Sequence, residues 1–196
     1  MTKRQVYLDH AATTPTDPRV IEAMQPYFSE KYGNPSSLYS LGLAAKNTLL
    51  EARQIIAKIF NCTPGEIIFT GGGTESDNLG IIGVARAWAR KEKKPGHIIT
   101  STIEHHAVLH ACNYLEKYEG WRVTRVPVDG DGLVDPNIVR NALAEDTALV
   151  TIMYANNEIG TIEPLTEISQ ACKDGKVRFG KKDFFSYRCL SGGGGT

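Results

Sequence analysis

An α/β fold built on a mainly parallel sheet, with helices on both faces, is what this 196-residue sequence predicts. Three observations lead there. Short apolar runs of strand length alternate with helical stretches along most of the chain. The runs are rich in β-branched residues, as strands buried on both faces are. The stretches between them have the length of crossover helices, not of hairpin turns, which implies βαβ units.

The elements follow in order. "DPRVIEAMQPYF" offers Asp17 as N-cap and Pro18 at the first helical position, so a helix starts there. After "NPSSLYS" a longer helix carries Ala45, Leu49, Ala52, Ile56 and Ile59 at spacings of three and four, expected to form one buried stripe. "EIIFT" reads as a buried strand leading into "GGGTESDN". A helix from about Thr74 to Lys91, the strand "HIITS" and a helix from about His106 to Tyr118 come next. "WRVTRVPV" is strand-like, "DPNIVRNALAE" helical, "TALVTIMYA" strand-like, and "PLTEISQACK" is a last helical piece. No internal repeat interrupts this order.

Composition sets the broad class. Apolar residues are 41% and charged residues 22%, ordinary for a globular protein. Lys plus Arg and Asp plus Glu are 22 each, so no net charge draws the chain to nucleic acid or to an anionic membrane. "MTKRQVYLDH" has no apolar signal core, and no apolar run reaches the length of a membrane span. Cys62, Cys112, Cys172 and Cys189 are scattered without a C-x-x-C pair, the usage of a reducing cytoplasm. A cytoplasmic protein with no membrane partner is expected.

In parallel sheets, ligands bind beyond the carboxyl ends of the strands, and three segments there carry unusual polar residues. "FTGGGTESDN" puts Gly71, Gly72 and Gly73 before a helix N-terminus, whose unpaired N–H groups suit a phosphate. The Gly-Lys-Ser/Thr ending of a P-loop is absent, and Ser76 stands where a dinucleotide fingerprint needs its third glycine. A plain tight turn with Thr74 capping the helix is the other reading. Glu75 and Asp77 add negative charge to that first turn. In "STIEHHAVLHA", Glu104, His105 and His106 follow a strand, where an imidazole stacks on a flat ring or moves a proton. A helix cap or a satisfied core histidine is the plainer reading. His106 and His110, four apart, share a helical face, but a zinc site needs further ligands, so no metal is expected. "MYANNEIG" ends a strand with Asn156, Asn157 and Glu158, either a simple turn or an amide for a ligand oxygen.

Taken together, "YLDHAATTP", "GNPSS", "FTGGGTESDN", "EHHAVL" and "NNEIGTIEP", in this order, resemble cysteine desulfurases of the NifS/IscS type, within the class V aminotransferase group. The likeness runs over about residues 5 to 173. It implies the large domain of a fold type I enzyme that uses pyridoxal 5'-phosphate, here truncated. By resemblance, Gly73 and Thr74 hold the cofactor's phosphate, with Gly72 shaping the approach. His105 stacks on the ring and moves protons as the catalytic residue, and Asn157 contacts the phenolic oxygen. Asn34 and Ala12–Thr13 lie near the entrance with no assigned role. The implied activity takes sulfur from L-cysteine, leaving L-alanine, and passes a persulfide to an iron–sulfur scaffold or other acceptor. A homodimer is implied as well.

The sequence departs from that pattern after Lys173. The family's next strand ends in His-Thr-Asp-Ala-x-Gln, followed by the Schiff-base lysine, the persulfide cysteine and an arginine. Lys173, Lys176, Lys181 and Lys182 lack the lysine's context, and Cys189 comes too early. Residues 1–173 are therefore expected to be the N-terminal part of the cofactor domain. Residues 174–196 are expected to be an aberrant, disordered tail, either a Gly/Ser linker or the product of a frame slip. Reading the second and third bases of each codon with the first of the next lets Asp183 to Ser191 encode Ile-Phe-Phe-His-Thr-Asp-Ala-x-Gln. That is the missing motif, and the slip would lie between about Asp174 and Gly180.

Overall fold

The computed structural model describes residue 4, residues 6–174 and the strand backbone at 185–188. The chain divides into two compact units, Met1–Ala12 with Thr70–Thr196, and Thr13–Phe69.

In the unit Thr13–Phe69, α1 (Pro18–Met24) starts as expected, with Asp17 accepting a hydrogen bond from the Arg19 N–H at 2.8 Å. Pro26 cannot continue that helix and opens the short α2 (Pro26–Ser29). The long helix α3 (Ser40–Ile59) also forms, and Gly42 lets the Asn34–Ser37 turn lie against its start, because a Cβ there would meet the Asn34 carbonyl at 2.7 Å. Its expected buried stripe does not form. Ala45, Ala52 and Ile56 are half-buried, and Leu49 and Ile59 are exposed, the latter by 74%. Among the described residues of this unit, the 3-10 turn Pro64–Glu66 packs against α3, and these five side chains are still left half-buried or exposed.

"EIIFT" is not a strand. Its first residue closes the 3-10 turn, held by a capping box with Thr63, and Ile67 to Thr70 run on without regular structure. A strand needs a neighbour for its N–H and C=O groups, and no described strand lies beside it.

The other unit holds the α/β layers. α4 (Gly73–Glu92) leads to β1 (His97–Ser101), α5 (His106–Glu119) to β2 (Arg122–Val126), α6 (Pro136–Ala142) to β3 (Thr147–Met153), and α7 (Leu165–Asp174) follows. The strands form one parallel sheet in the order β2-β1-β3-β4, where β4 is Phe185–Arg188 beside β3. Those four residues are a strand within the 174–196 stretch; Lys176, Lys181, Lys182, Cys189 and the glycine run lie outside the described residues.

Alternation along the strands divides the core. Ile98 and Leu149 pack with Ile81 and Ala85 of α4 and Val108, Ala111 and Leu115 of α5. Ile99, Val150 and Ile152 pack with Val139 of α6 and Ile168 and Cys172 of α7. Each fully buried isoleucine contributes about 1.5–3 kcal/mol of apolar transfer free energy. His97, enclosed at the start of β1, joins three strands through the hydroxyls of Thr147 at 2.9 Å and Thr124 at 2.7 Å. Among the described residues, no helix is long and apolar enough to cross a membrane.

Candidate active site

The sheet order reverses at β1, which has β2 on one side and β3 on the other. Such a reversal opens a crevice at the carboxyl ends of the strands. The segments after β1 and β3 are those singled out in the sequence.

The glycine turn enters α4. Gly72 is its N-cap, with extended backbone, so Thr74 lies inside the first turn and is not the cap. The turn is closed on itself by the Thr70 and Ser76 hydroxyls, 2.5 Å apart, and by the Ser76 N–H donating to the Gly72 carbonyl at 3.1 Å. The first N–H groups of any α-helix have no partner within it, so the exposed first turn of this 20-residue helix offers donors to a ligand. The two acidic residues of the turn differ. Asp77 is buried, whereas the Glu75 carboxylate turns back and accepts from the Gly71 N–H at 2.6 Å. Glu75 thereby uses one donor of the turn and leaves those of Gly72 to Thr74 to another acceptor.

After β1, His105 is the N-cap of α5, an unusual residue there, and its Nδ1 accepts from the Ala107 N–H at 3.1 Å. In the neutral ring this puts the proton on Nε2, and the ring is exposed. The two readings of His105 are compatible: one nitrogen caps, the other is open to a ligand. His106 and His110 are exposed with ring centroids 5.5 Å apart, and among the described residues no group of three or more His, Cys, Asp or Glu could hold a metal.

After β3 the asparagine pair separates into two roles. Asn156 is half-buried and builds the turn, its Oδ1 accepting from the N–H groups of Glu158 at 2.8 Å and Ile159 at 3.1 Å. Its Nδ2 donates to the Ile103 carbonyl at 3.0 Å. Asn157 is exposed, and its side-chain amide makes no hydrogen bond among the described residues. A free amide at the end of a buried strand is the donor a ligand oxygen needs.

Sequence reasoning left two residues without a role. Glu104 is buried, and its Oε1 accepts from the Met153 N–H at 2.7 Å and the Ser101 hydroxyl at 2.9 Å. Glu163 is buried and accepts from the Val134 N–H at 2.9 Å, fastening the turn before α6 to the loop after β3. Burial raises its carboxyl above the ordinary value, against the Val134 bond that lowers it, with a smaller push from Asp129. Both were legible only as polar residues beside apolar runs. Burial also pushes the thiols of Cys112 up to about 12 and of Cys172 up to about 11, so neither is a nucleophile at neutral pH.

Of the site residues expected from the sequence, His105 and Asn157 stand at the ends of adjacent strands, and Gly73 and Thr74 start the helix that packs on β3 and α5. Asn34 makes an Asx turn with the Ser36 N–H at 2.9 Å in the other unit.

Residues 6–179 match the model of the aminotransferase class-V family. The chain is 52% identical over 177 residues to cysteine desulfurase IscS of Dictyoglomus turgidum, covering 90% of this chain and 44% of that protein. It is 50% identical over 176 residues to cysteine desulfurase IscS of Methanosarcina thermophila, covering 90% and 43%. Among solved structures, a NifS-like protein superposes with a TM-score of 0.87 at 38% identity, covering 96% of this chain and 50% of that one. SspA, solved in complex with cysteine, gives 0.81 at 40% identity, covering 87% and 48%. The chain thus spans less than half the length of the curated relatives it matches.

Proposed function

The chain belongs to the aminotransferase class-V family, and we propose that it is the N-terminal half of a cysteine desulfurase, carrying one side of a pyridoxal-phosphate site. The observation that carries this reading is the pair of open groups at one end of the sheet: the Asn157 amide after β3 and the His105 Nε2 after β1. The residues present fit the cofactor. The N–H groups of Gly73 and Thr74, at a helix start, suit its phosphate, with Gly72 leaving open space where a side chain would stand. The Asn157 amide would donate to the phenolic oxygen. His105 would stack on the ring, and its Nε2 would hold or move a proton at the substrate. When bound, the cofactor supplies an electron sink for bonds at an amino acid's α-carbon.

The substrate of the whole protein is L-cysteine, its products L-alanine and a sulfur passed to an iron–sulfur scaffold or other acceptor. It works as a homodimer in the cytoplasm. A second reading, a non-catalytic piece that pairs with a full-length copy, draws on the exposed apolar side chains of residues 13–69, Leu38 at 90% and Phe28 at 78% among them. A related class V aminotransferase or lyase, acting on another amino acid, is the remaining alternative.

The departure after Lys173 is a frame slip between about Asp174 and Gly180. Strand register supports this beside the codon argument. β4 runs parallel to β3 with Arg188 opposite Met153, so the position whose shifted codons allow aspartate lies at the carboxyl end of the sheet, level with the site. Sequencing the gene decides it: the shifted frame is expected to stay open and to encode the missing lysine segment soon after. Stop codons in that frame would refute the slip. Protein from the restored frame is expected to release alanine from L-cysteine with pyridoxal phosphate added. The present chain, reduced with borohydride beside the cofactor and digested, is expected to yield no stoichiometric pyridoxyl-lysine. One specifically modified lysine would contradict the half-site.

A further inference from the structure

At both strand ends, an exposed candidate ligand follows a buried or half-buried residue that reaches across to the other strand. Glu104 precedes His105, and Asn156 precedes Asn157. We propose that Glu104 and Asn156 form a brace between the carboxyl ends of β1 and β3 that sets the spacing of His105 and Asn157. Both are positioning residues. The inference rests on the reading that His105 and Asn157 face the cofactor, and it adds the device that keeps them in register.

The geometry supports a brace for three reasons. The paired residues of β1 and β3 end at Thr100 and Thr151, so beyond them the strands lose the main-chain ladder that fixes their separation. The links that continue across the gap come from these two side chains: Glu104 Oε1 accepts from the Met153 N–H at 2.7 Å, and Asn156 Nδ2 donates to the Ile103 carbonyl at 3.0 Å. The links run in opposite senses, one from the β1 end to the β3 backbone and one back. Each connecting residue is also fixed at home, Glu104 by the Ser101 hydroxyl at 2.9 Å and Asn156 by the N–H groups of Glu158 and Ile159 at 2.8 and 3.1 Å. One peptide unit, about 3.8 Å between Cα atoms, separates each brace residue from its exposed neighbour. Little slack remains for His105 or Asn157 to move alone, and a displacement of about 1 Å at a reacting group costs on the order of a hundredfold in rate.

A local role for Asn156 as turn former and a cross-strand role predict different responses, and Asn156→Asp separates them. Aspartate keeps the oxygen that accepts from Glu158 and Ile159 and loses the donor to Ile103. In the full chain without cofactor, ¹⁵N heteronuclear NOEs of this variant are expected to stay normal at 157–160 and to fall at 103–105. Glu104→Ala is expected to lower them at both strand ends, and Glu104→Gln, which keeps an acceptor oxygen, to restore them. Unchanged order at 103–105 in Asn156→Asp would overturn the brace. The second readout is affinity for pyridoxal phosphate. Asn156→Asp is expected to weaken it about fivefold to tenfold with little change in melting temperature, and to have no further effect in a His105→Ala background. Full additivity with His105→Ala would contradict action through His105. If the unsubstituted chain does not bind the cofactor at these residues, the functional reading fails, while the NOE measurement still decides the brace.

Discussion

"EIIFT" at 66–70 and "HIITS" at 97–101 are close in composition, and each leads into a loop of candidate ligand residues, yet only the second is a strand. Ile98 and Ile99 of β1 are fully buried, whereas Ile68 is 67% exposed. The apolar run is common to both, so it does not make the difference. β1 has β2 and β3 on either side and helices on both faces, and 66–70 has no described strand beside it. A strand is made by its neighbours, because unpaired backbone groups and an uncovered face leave nothing to offset the entropy of ordering. The same contrast separates the two units, one with its apolar residues sorted into two cores and the other with Leu38, Phe28 and Ile59 in solvent.

The largest test of this contrast is a pair of truncations. Ile99→Ala is expected to destabilise the protein by about 2–5 kcal/mol in urea unfolding, and Ile68→Ala by less than about 0.5 kcal/mol. Comparable costs at both positions would break the comparison.

A test by pH comes next. Burial, and secondarily the Arg122 charge, lower the His97 pKa from 6.5 to about 4, while its ring is bonded to two threonine hydroxyls. Between those values the unfolded chain binds the proton that the folded chain refuses, so folding stability rises with pH across the window. Falling pH removes on the order of 3 kcal/mol in total, beginning near 6.5 and complete near 4. Urea midpoints measured across that range are expected to fall more steeply for the unsubstituted protein than for His97→Gln. Equal slopes would mean that His97 is not the buried tie across the sheet.

The smallest effect sharpens the contrast between units. Asp135 caps α6, accepting from the Asn137 N–H at 2.8 Å, and this helix buries Val139; Asp17 caps α1 in the same way, and that helix buries nothing. Asp135→Ala is expected to cost about 1 kcal/mol of global stability. Asp17→Ala is expected to leave the midpoint unchanged, and a similar shift would show α1 to be part of the cooperative core.

Local pattern made α4, β1, α5 and β3 legible, because their periodicity and caps agree with what packs against them. It failed where the outcome depends on distant residues. The helix expected over "DPNIVRNALAE" stops at Ala142 because the Thr147 hydroxyl accepts from the Ala144 N–H at 2.8 Å and turns the chain into β3. The exposed stripe on α3 and the missing strand at 66–70 have the same origin. At the site, the candidate ligand residues were legible as residue types out of place, but the links around them were not. Glu104 and Met153 are 49 residues apart and Asn156 and Ile103 are 53 apart, and no local spacing encodes such a contact.

The proposed half-site for the cofactor draws on the turn into α4 and the ends of β1 and β3. An NMR titration of the ¹⁵N-labelled chain with pyridoxal phosphate tests it most directly. Shifts are expected to concentrate at 72–75, at His105 and at Asn157, with the Asn157 side-chain amide among the largest. Shifts confined to exposed lysines such as Lys91, or none at all, would contradict it.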